Sequence, residues 1–129
     1  MHARNITLFS LRAILALILL VNGLNKFFHF FDKVYTSHKA VAFMEGLAES
    51  AYFFNFLGAY EIIIAIMLLI TPLVPLALLL LLPFSINAFL FHLFVAPESI
   101  QMAAALLVLN IYISISYFNY IKLLIIKKK

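Results

Sequence analysis

Four times along the chain, about 20 residues pass with almost no charge among them, and that length matches what a helix needs to cross a bilayer core of about 30 Å. The stretches run at about residues 11–31, 52–71, 75–95 and 100–120. Prolines mark the breaks: Thr71-Pro72 and Pro75 stand between the second and third stretches, and Ala96-Pro97-Glu98-Ser99 between the third and fourth. Proline has no N–H to donate and biases the residue before it away from helix, so both sites are natural boundaries. Ser99 is suited to cap the fourth helix. Composition closes off the alternatives. With 67% hydrophobic and 11% charged residues in 129, the chain has too little polar surface to cover a water-soluble particle and far too much apolar surface to remain disordered. The predicted fold is all-α: a single integral-membrane domain over residues 1–129, built as a four-helix bundle.

The first stretch begins with a basic residue but leads into Asn22, Asn25, Lys26 and His29 with no small-residue cleavage site. It therefore reads as a retained membrane helix and not as a signal peptide. Four crossings put both termini on one side. Arg4, Arg12, Lys122 and Lys127 to Lys129 gather there, while the opposite side mixes Lys26, Lys33 and Lys39 with Asp32, Glu45, Glu49 and Glu98. Positively charged loops stay inside, so both termini are expected in the cytoplasm and the terminal lysines against anionic headgroups. The formal charge of +4 does not point to nucleic acid, because four of the nine basic residues fall in the last eight positions. The one long loop, residues 32–51, places Ala40, Phe43, Met44 and Leu47 at helical spacing among Lys39, Glu45 and Glu49. That pattern predicts a short interfacial helix in the first outward loop. The run from Leu78 to Leu82 reads as lipid-facing helix.

Inside a bilayer the informative residues are the polar ones, since each is costly without a partner. Asn22, Asn25, Lys26 and His29 lie at offsets 0, 3, 4 and 7 and form one stripe on the first helix. Gly58, Glu61 and Ala65 share a face of the second, where small neighbours admit another helix closely. By helical rise, Glu61 lies about 14 Å and Lys26 about 8 Å from the outer boundary, and the lysine stem spans much of the difference. The two are expected to form a buried ion pair, because an isolated charge at such depth costs about 2.5–3.5 kcal/mol on insertion scales. Asn110, Ser114 and Tyr117 share a face of the fourth helix and are expected to tie helices together, as is Asn87 on the third. Asn87 and His92 are separated by about 140° around that helix, so they do not both point into the bundle.

His29 and His92 fall near the outer boundary on different helices. Such a pair has the chemistry to bind haem or a quinone. Interfacial histidines commonly do neither, and haem is not favoured. A two-histidine, one-carboxylate metal site would need Glu61 level with them, and it lies about 10 Å deeper. No metal site is expected. His2 and His38 are terminal and loop residues with no visible partner, and Phe27, Phe28, Phe30 and Phe31 flank the polar stripe as candidate walls of a hydrophobic site. There is no cysteine, which excludes disulfide and dithiol chemistry and iron–sulfur ligation. No glycine-rich phosphate loop and no G-x-S-x-G elbow occurs.

An arginine opening the first stretch, followed by Gly23-Leu24-Asn25-Lys26-Phe27-Phe28-His29-Phe30, resembles the first-helix pattern of the DoxX family of small four-helix bacterial membrane proteins. Leu57-Gly58-Ala59-Tyr60-Glu61 is similar to that family's second-helix G-x-x-E pattern. Asn87 to His92, with Phe94 and Pro97 behind it, looks like its third-helix ending. The resemblance runs from about Leu11 to Tyr120. It implies a membrane subunit associated with oxidoreductases, a related branch of the family contributing to thiosulfate:quinone oxidoreduction. Lys26 and Glu61 match the polar positions of the first two helices and His92 that of the third. Without cysteine, electrons would need a quinone, a haem or a redox partner protein.

Three readings follow for a protein of the bacterial inner (cytoplasmic) membrane. In the first it is a redox-associated subunit that places a quinone-like or other amphipathic ligand in an outward-opening pocket of Asn22, Lys26, His29, Glu61 and His92. In the second it is a non-enzymatic assembly or scaffold protein. In the third it is a small transporter, working as a homo-oligomer because four helices enclose little volume. Whether the protein is catalytic stays open among them.

Overall fold

The computed structural model describes residues 2–30 and 37–125, with side chains from Ile6 onward. Phe31, Asp32, Lys33 and Lys127 to Lys129 lie outside the described residues, as do the side chains of His2 and Arg4. All regular structure among the described residues is helical. The helices are α1 (His2–Phe28), α2 (His38–Ala48), α3 (Phe53–Leu69), α4 (Val74–Phe94), α5 (Ile100–Ser116) and α6 (Phe118–Ile125). Single 3-10 turns at Thr71–Leu73 and Pro97–Ser99 lead into α4 and α5. Each carries a proline in its first turn, where the missing N–H has no intrahelical acceptor to lose.

α1 packs most extensively on α3 and α4 on α5; α3 meets α4, and α5 touches α1 more sparingly, closing a ring. The buried stripes follow helical spacing. α1 contributes Arg12, Leu15, Ala16, Leu19 and Gly23, and α3 contributes Gly58, Glu61, Ile64, Ala65 and Leu68. α4 turns Val74, Ala77, Leu78, Leu81 and Ser85 inward, and α5 turns Ala103, Leu106, Asn110 and Ile113. Most of these residues form one apolar core. Outward faces are equally apolar, with Leu17, Ile63, Ile66, Val108 and Ile115 all exposed. A helix hydrophobic all round is what a bilayer solvates.

Several boundaries differ from those expected. α1 starts at His2, nine residues before Leu11, so Arg12 sits within the helix. It ends at Phe28, where His29 adopts φ 55° and its N–H bonds the Asn25 carbonyl at 2.8 Å. That left-handed residue closes the helix in the manner usually reserved for glycine. The fourth helix does not run unbroken to Tyr120. It stops at Ser116, whose hydroxyl donates back to the Tyr112 carbonyl at 3.4 Å, a bond of the kind that bends helices. After Tyr117 the chain resumes as α6, which buries Ile121 against the apolar core. The leucine run is also not simply lipid-facing: Leu78 and Leu81 are fully buried, because the run covers both the inner and outer faces of α4.

The periodic segment within residues 32–51 is α2. The Ser37 hydroxyl accepts from the Ala40 N–H at 3.2 Å as its N-cap, and Ala40 is fully buried. Ser50 donates to the Leu47 carbonyl at 2.7 Å and accepts from the Phe53 N–H at 3.1 Å, holding a turn that swings α3 through 89° relative to α2. Phe43 of α2 meets Phe91 of α4, ring centroids 5.2 Å apart. Within α4, Pro83 removes one rung of the helix ladder. The Tyr60 hydroxyl of α3 donates to the nearby Leu80 carbonyl, the kind of help from a neighbouring helix that makes proline tolerable in lipid.

Candidate functional site

α1 and α3 run antiparallel and cross where two glycines face each other. A methyl group at Gly23 would lie 2.9 Å from the Gly58 carbonyl oxygen, and one at Gly58 would lie 3.0 Å from that of Gly23. Only glycine permits backbones so close. Three residues beyond each glycine stands a charge: Lys26 on α1 and Glu61 on α3. Side chains in a helix lean toward its N-terminus, so in an antiparallel pair these two lean toward each other across the crossing. Lys26 Nζ donates to Glu61 Oε1 at 2.7 Å. The Glu61 side chain is 4% exposed and that of Lys26 17%. Glu61 is thus nearly buried between the helices, while Lys26 is the more open partner and faces open space.

That space consists of two cavities. The first, about 590 Å³, lies between α1, α4 and α5; Asn22, Lys26, Glu61, His92 and Ser99 form its polar end, and Leu17, Ile18, Val21, Met102 and Leu106 its apolar remainder. The second, about 710 Å³, is roofed by Val41, Phe43, Met44 and Leu47 of α2 and lined below by Asn25, His29 and Asn87 among others. Lys26, Phe84, Ala88 and His92 border both. His92 is set in place through Nδ1, which lies 3.0 Å from the Ser99 hydroxyl and 3.2 Å from the Ala96 carbonyl oxygen.

The residues expected to share one pocket are therefore divided. Asn22, Lys26, Glu61 and His92 meet at the first cavity. His29 lines only the second and is exposed beyond the end of α1. Asn22 donates one amide N–H to the Ile18 carbonyl of its own helix at 2.7 Å, leaving its carbonyl oxygen and its second N–H to offer. Asn87, expected between helices, is exposed and borders the second cavity, since the 140° offset from His92 turns it off the packed face. Asn110 is fully buried. Its Oδ1 accepts from Ser85 of α4 at 2.8 Å, and its Nδ2 reaches the Leu78 carbonyl at 3.4 Å and the Ser114 hydroxyl at 3.3 Å. The Tyr117 hydroxyl accepts from Arg12 at 3.5 Å. Among the described residues no three His, Asp or Glu side chains gather to hold a metal ion.

A DoxX-like family model matches residues 10–115. The chain belongs to the DoxX-like family. No curated protein and no solved structure matches it significantly. Like the family resemblance, the composition of its helices makes this DoxX-like chain a membrane protein: segments 6–28, 71–94 and 97–116 are each long and apolar enough to cross, and α2 with α3 counts as a fourth if the bent pair is one span. The matched region contains all three motifs. The first two, Gly23-x-x-Lys26 and Gly58-x-x-Glu61, form one object in the DoxX-like structure, the crossing and its ion pair.

Two residues of the α1–α3 packing have contacts that their sequence positions do not show. Arg12 was counted as a topological charge, yet it is 4% exposed. Its Nε donates to the Leu68 carbonyl at 2.9 Å at the end of α3, and its terminal nitrogens reach Thr71 and Tyr117 at 3.5 Å. It thus satisfies a carbonyl the α3 C-terminus leaves open, where the helix dipole favours a cation. The apolar Ile6, Leu8 and Phe9 preceding it were the signal that the span begins earlier. Gly23 was the other, and the repeated spacing of glycine three residues before a charge would have paired it with Gly58.

Proposed function

We propose that this protein is a redox-associated subunit of the bacterial inner membrane that holds a quinone-like or other amphipathic ligand against Lys26. The observation that carries the reading is the ion pair on the border of two cavities: Glu61 is nearly buried and lines only the first, while Lys26 borders both and, as a three-donor ammonium with one bond to Glu61, keeps N–H donors for a ligand oxygen. Intramembrane ions of this kind generally serve substrates, protons or ligands. Glu61 positions the ammonium, Asn22 adds an acceptor at the same end, and His92 borders the place where a ligand head would sit. His29 and Asn87 line the outward approach beneath α2. In this reading α1, α3, α4 and α5 form a four-helix membrane bundle with α2 in the outer interface. Both termini are cytoplasmic, with α6 and Lys122 against the inner headgroups.

A reading as an assembly or scaffold protein draws on the Ser85–Asn110 contact, which is fully buried, internally satisfied and lines neither cavity. Native mass spectrometry of protein released from mild detergent separates the two. An added mass matching a quinone, lost in Lys26→Met, is expected. A bare chain mass, alone or with a partner protein, would refute the ligand reading and leave the scaffold. Reporter fusions after Ile125 and within α2 test the orientation, with cytoplasmic activity expected only at the former.

A further inference from the structure

Resting on the ligand reading above, we propose that the first cavity is the seat of a neutral, single-chain amphiphile whose tail lies in a gap between α1 and α5 open to the bilayer. The ring of helices is weakest at that seam. Along it the apolar part of the cavity is bounded by Leu17 and Val21 of α1 and Met102 of α5, all exposed on the outer surface of the bundle. The cavity therefore opens sideways, where lipid stands, and its 590 Å³ falls in the range of small-ligand sites. From Leu17 to Lys26 is nine residues, about 13 Å of helix, so the gap takes a medium-length chain with its head at the ammonium.

The polarity of the head follows from charge. The Lys26 and Glu61 charges cancel within the pair. A carbonyl or hydroxyl oxygen accepts from Lys26 without adding charge, whereas a carboxylate or phosphate would compete with Glu61 for the same ammonium in a low-dielectric site. A cavity of 590 Å³ suits one chain and a small head better than the two chains of a phospholipid.

The chain has no tryptophan, so single-tryptophan variants report without background. The probe is 11-bromoundecanol, whose terminal bromine quenches on contact and whose chain is about as long as the gap. The variants are Leu17→Trp at the far end of the gap, Val41→Trp in the second cavity and Ile63→Trp on a lipid-facing surface of α3; all three positions are exposed. In phosphatidylcholine nanodiscs, Leu17→Trp is expected to quench saturably, and Ile63→Trp only in proportion to probe dissolved in the lipid. Adding Lys26→Met together with Glu61→Leu should remove the saturable part. Saturable quenching at Val41→Trp alone would place the ligand in the water-facing cavity, overturning this inference while leaving the ligand reading intact. Proportional quenching at all three positions would overturn both. Equal saturable quenching by 11-bromoundecanoate would overturn the preference for a neutral head.

Discussion

The Lys26–Glu61 pair makes an asymmetric prediction. Lys26→Met takes the cationic partner from a carboxylate whose side chain is 4% exposed, and breaking a buried pair from this side costs about 3–5 kcal/mol. Glu61→Gln strands an ammonium that is 17% exposed and borders two cavities. A lysine can swing its head toward water along its flexible stem, and glutamine still offers it an acceptor. The loss then approaches that of one charge-assisted hydrogen bond, about 1.5–3 kcal/mol. Replacing both partners leaves no orphaned charge, so the double variant should lie closer to the parent than Lys26→Met does. The coupling in the cycle should be at least about 2 kcal/mol. Reversible unfolding in mixed detergent micelles, titrated with a denaturing detergent and followed by helical circular dichroism, measures all four corners. Two results refute the reasoning: additive single effects, or a Glu61→Gln variant less stable than Lys26→Met.

The other predictions concern what surrounds the pair. Gly23→Ala drives a methyl against the Gly58 carbonyl oxygen at 2.9 Å, which only helix separation relieves, so about 1–3 kcal/mol of stability should be lost in the same unfolding assay. Gly58→Ala should cost about as much, because after the movable ring of Phe27 its methyl meets the Gly23 carbonyl oxygen at 3.0 Å. Asn110→Ala removes the buried contact between α4 and α5 but leaves the Ser85 hydroxyl its back-bond to the Leu82 carbonyl at 3.1 Å, so it should cost about 0.5–1.5 kcal/mol, the net worth of one hydrogen bond, in the same assay. Arg12→Lys should not substitute for arginine, since lysine cannot donate to Leu68 while reaching Thr71 and Tyr117; a loss of about 1.5–3 kcal/mol is expected, and parental stability would show that the fork is dispensable.

Much of this was legible in one dimension. Apolar length and the prolines at positions 72, 75 and 97 located the segments, because span length and helix breaking are local properties. The spacing of Ala40, Phe43, Met44 and Leu47 located α2 for the same reason. Helix ends without glycine or proline were not legible. His29 takes a left-handed conformation that histidine does not advertise, and Tyr117 breaks a helix after a serine back-bond that an intact helix would equally allow. The stripe of Asn22, Asn25, Lys26 and His29 was a true periodicity, yet its members have different surroundings: Asn25 is buried, Asn22 and Lys26 are partly exposed, and His29 stands outside the helix. Periodicity assigns an angle; the neighbour found at that angle is a matter of packing.

Sequence alone determined that this chain must live in lipid, that its candidate spans number about as many as its apolar stretches, and that a lysine and a glutamate inside them need each other. Those conclusions rest on the free energy of placing residue types in hydrocarbon, which does not depend on who the neighbours are. Tertiary structure decided which polar residue is nearly buried and which is offered. It buried Arg12 at the end of α3, pressed Gly23 onto Gly58, turned Asn87 outward and packed α1 on α5 only sparingly. Each of these depends on which helix faces which, and four similarly apolar helices state no such preference one at a time.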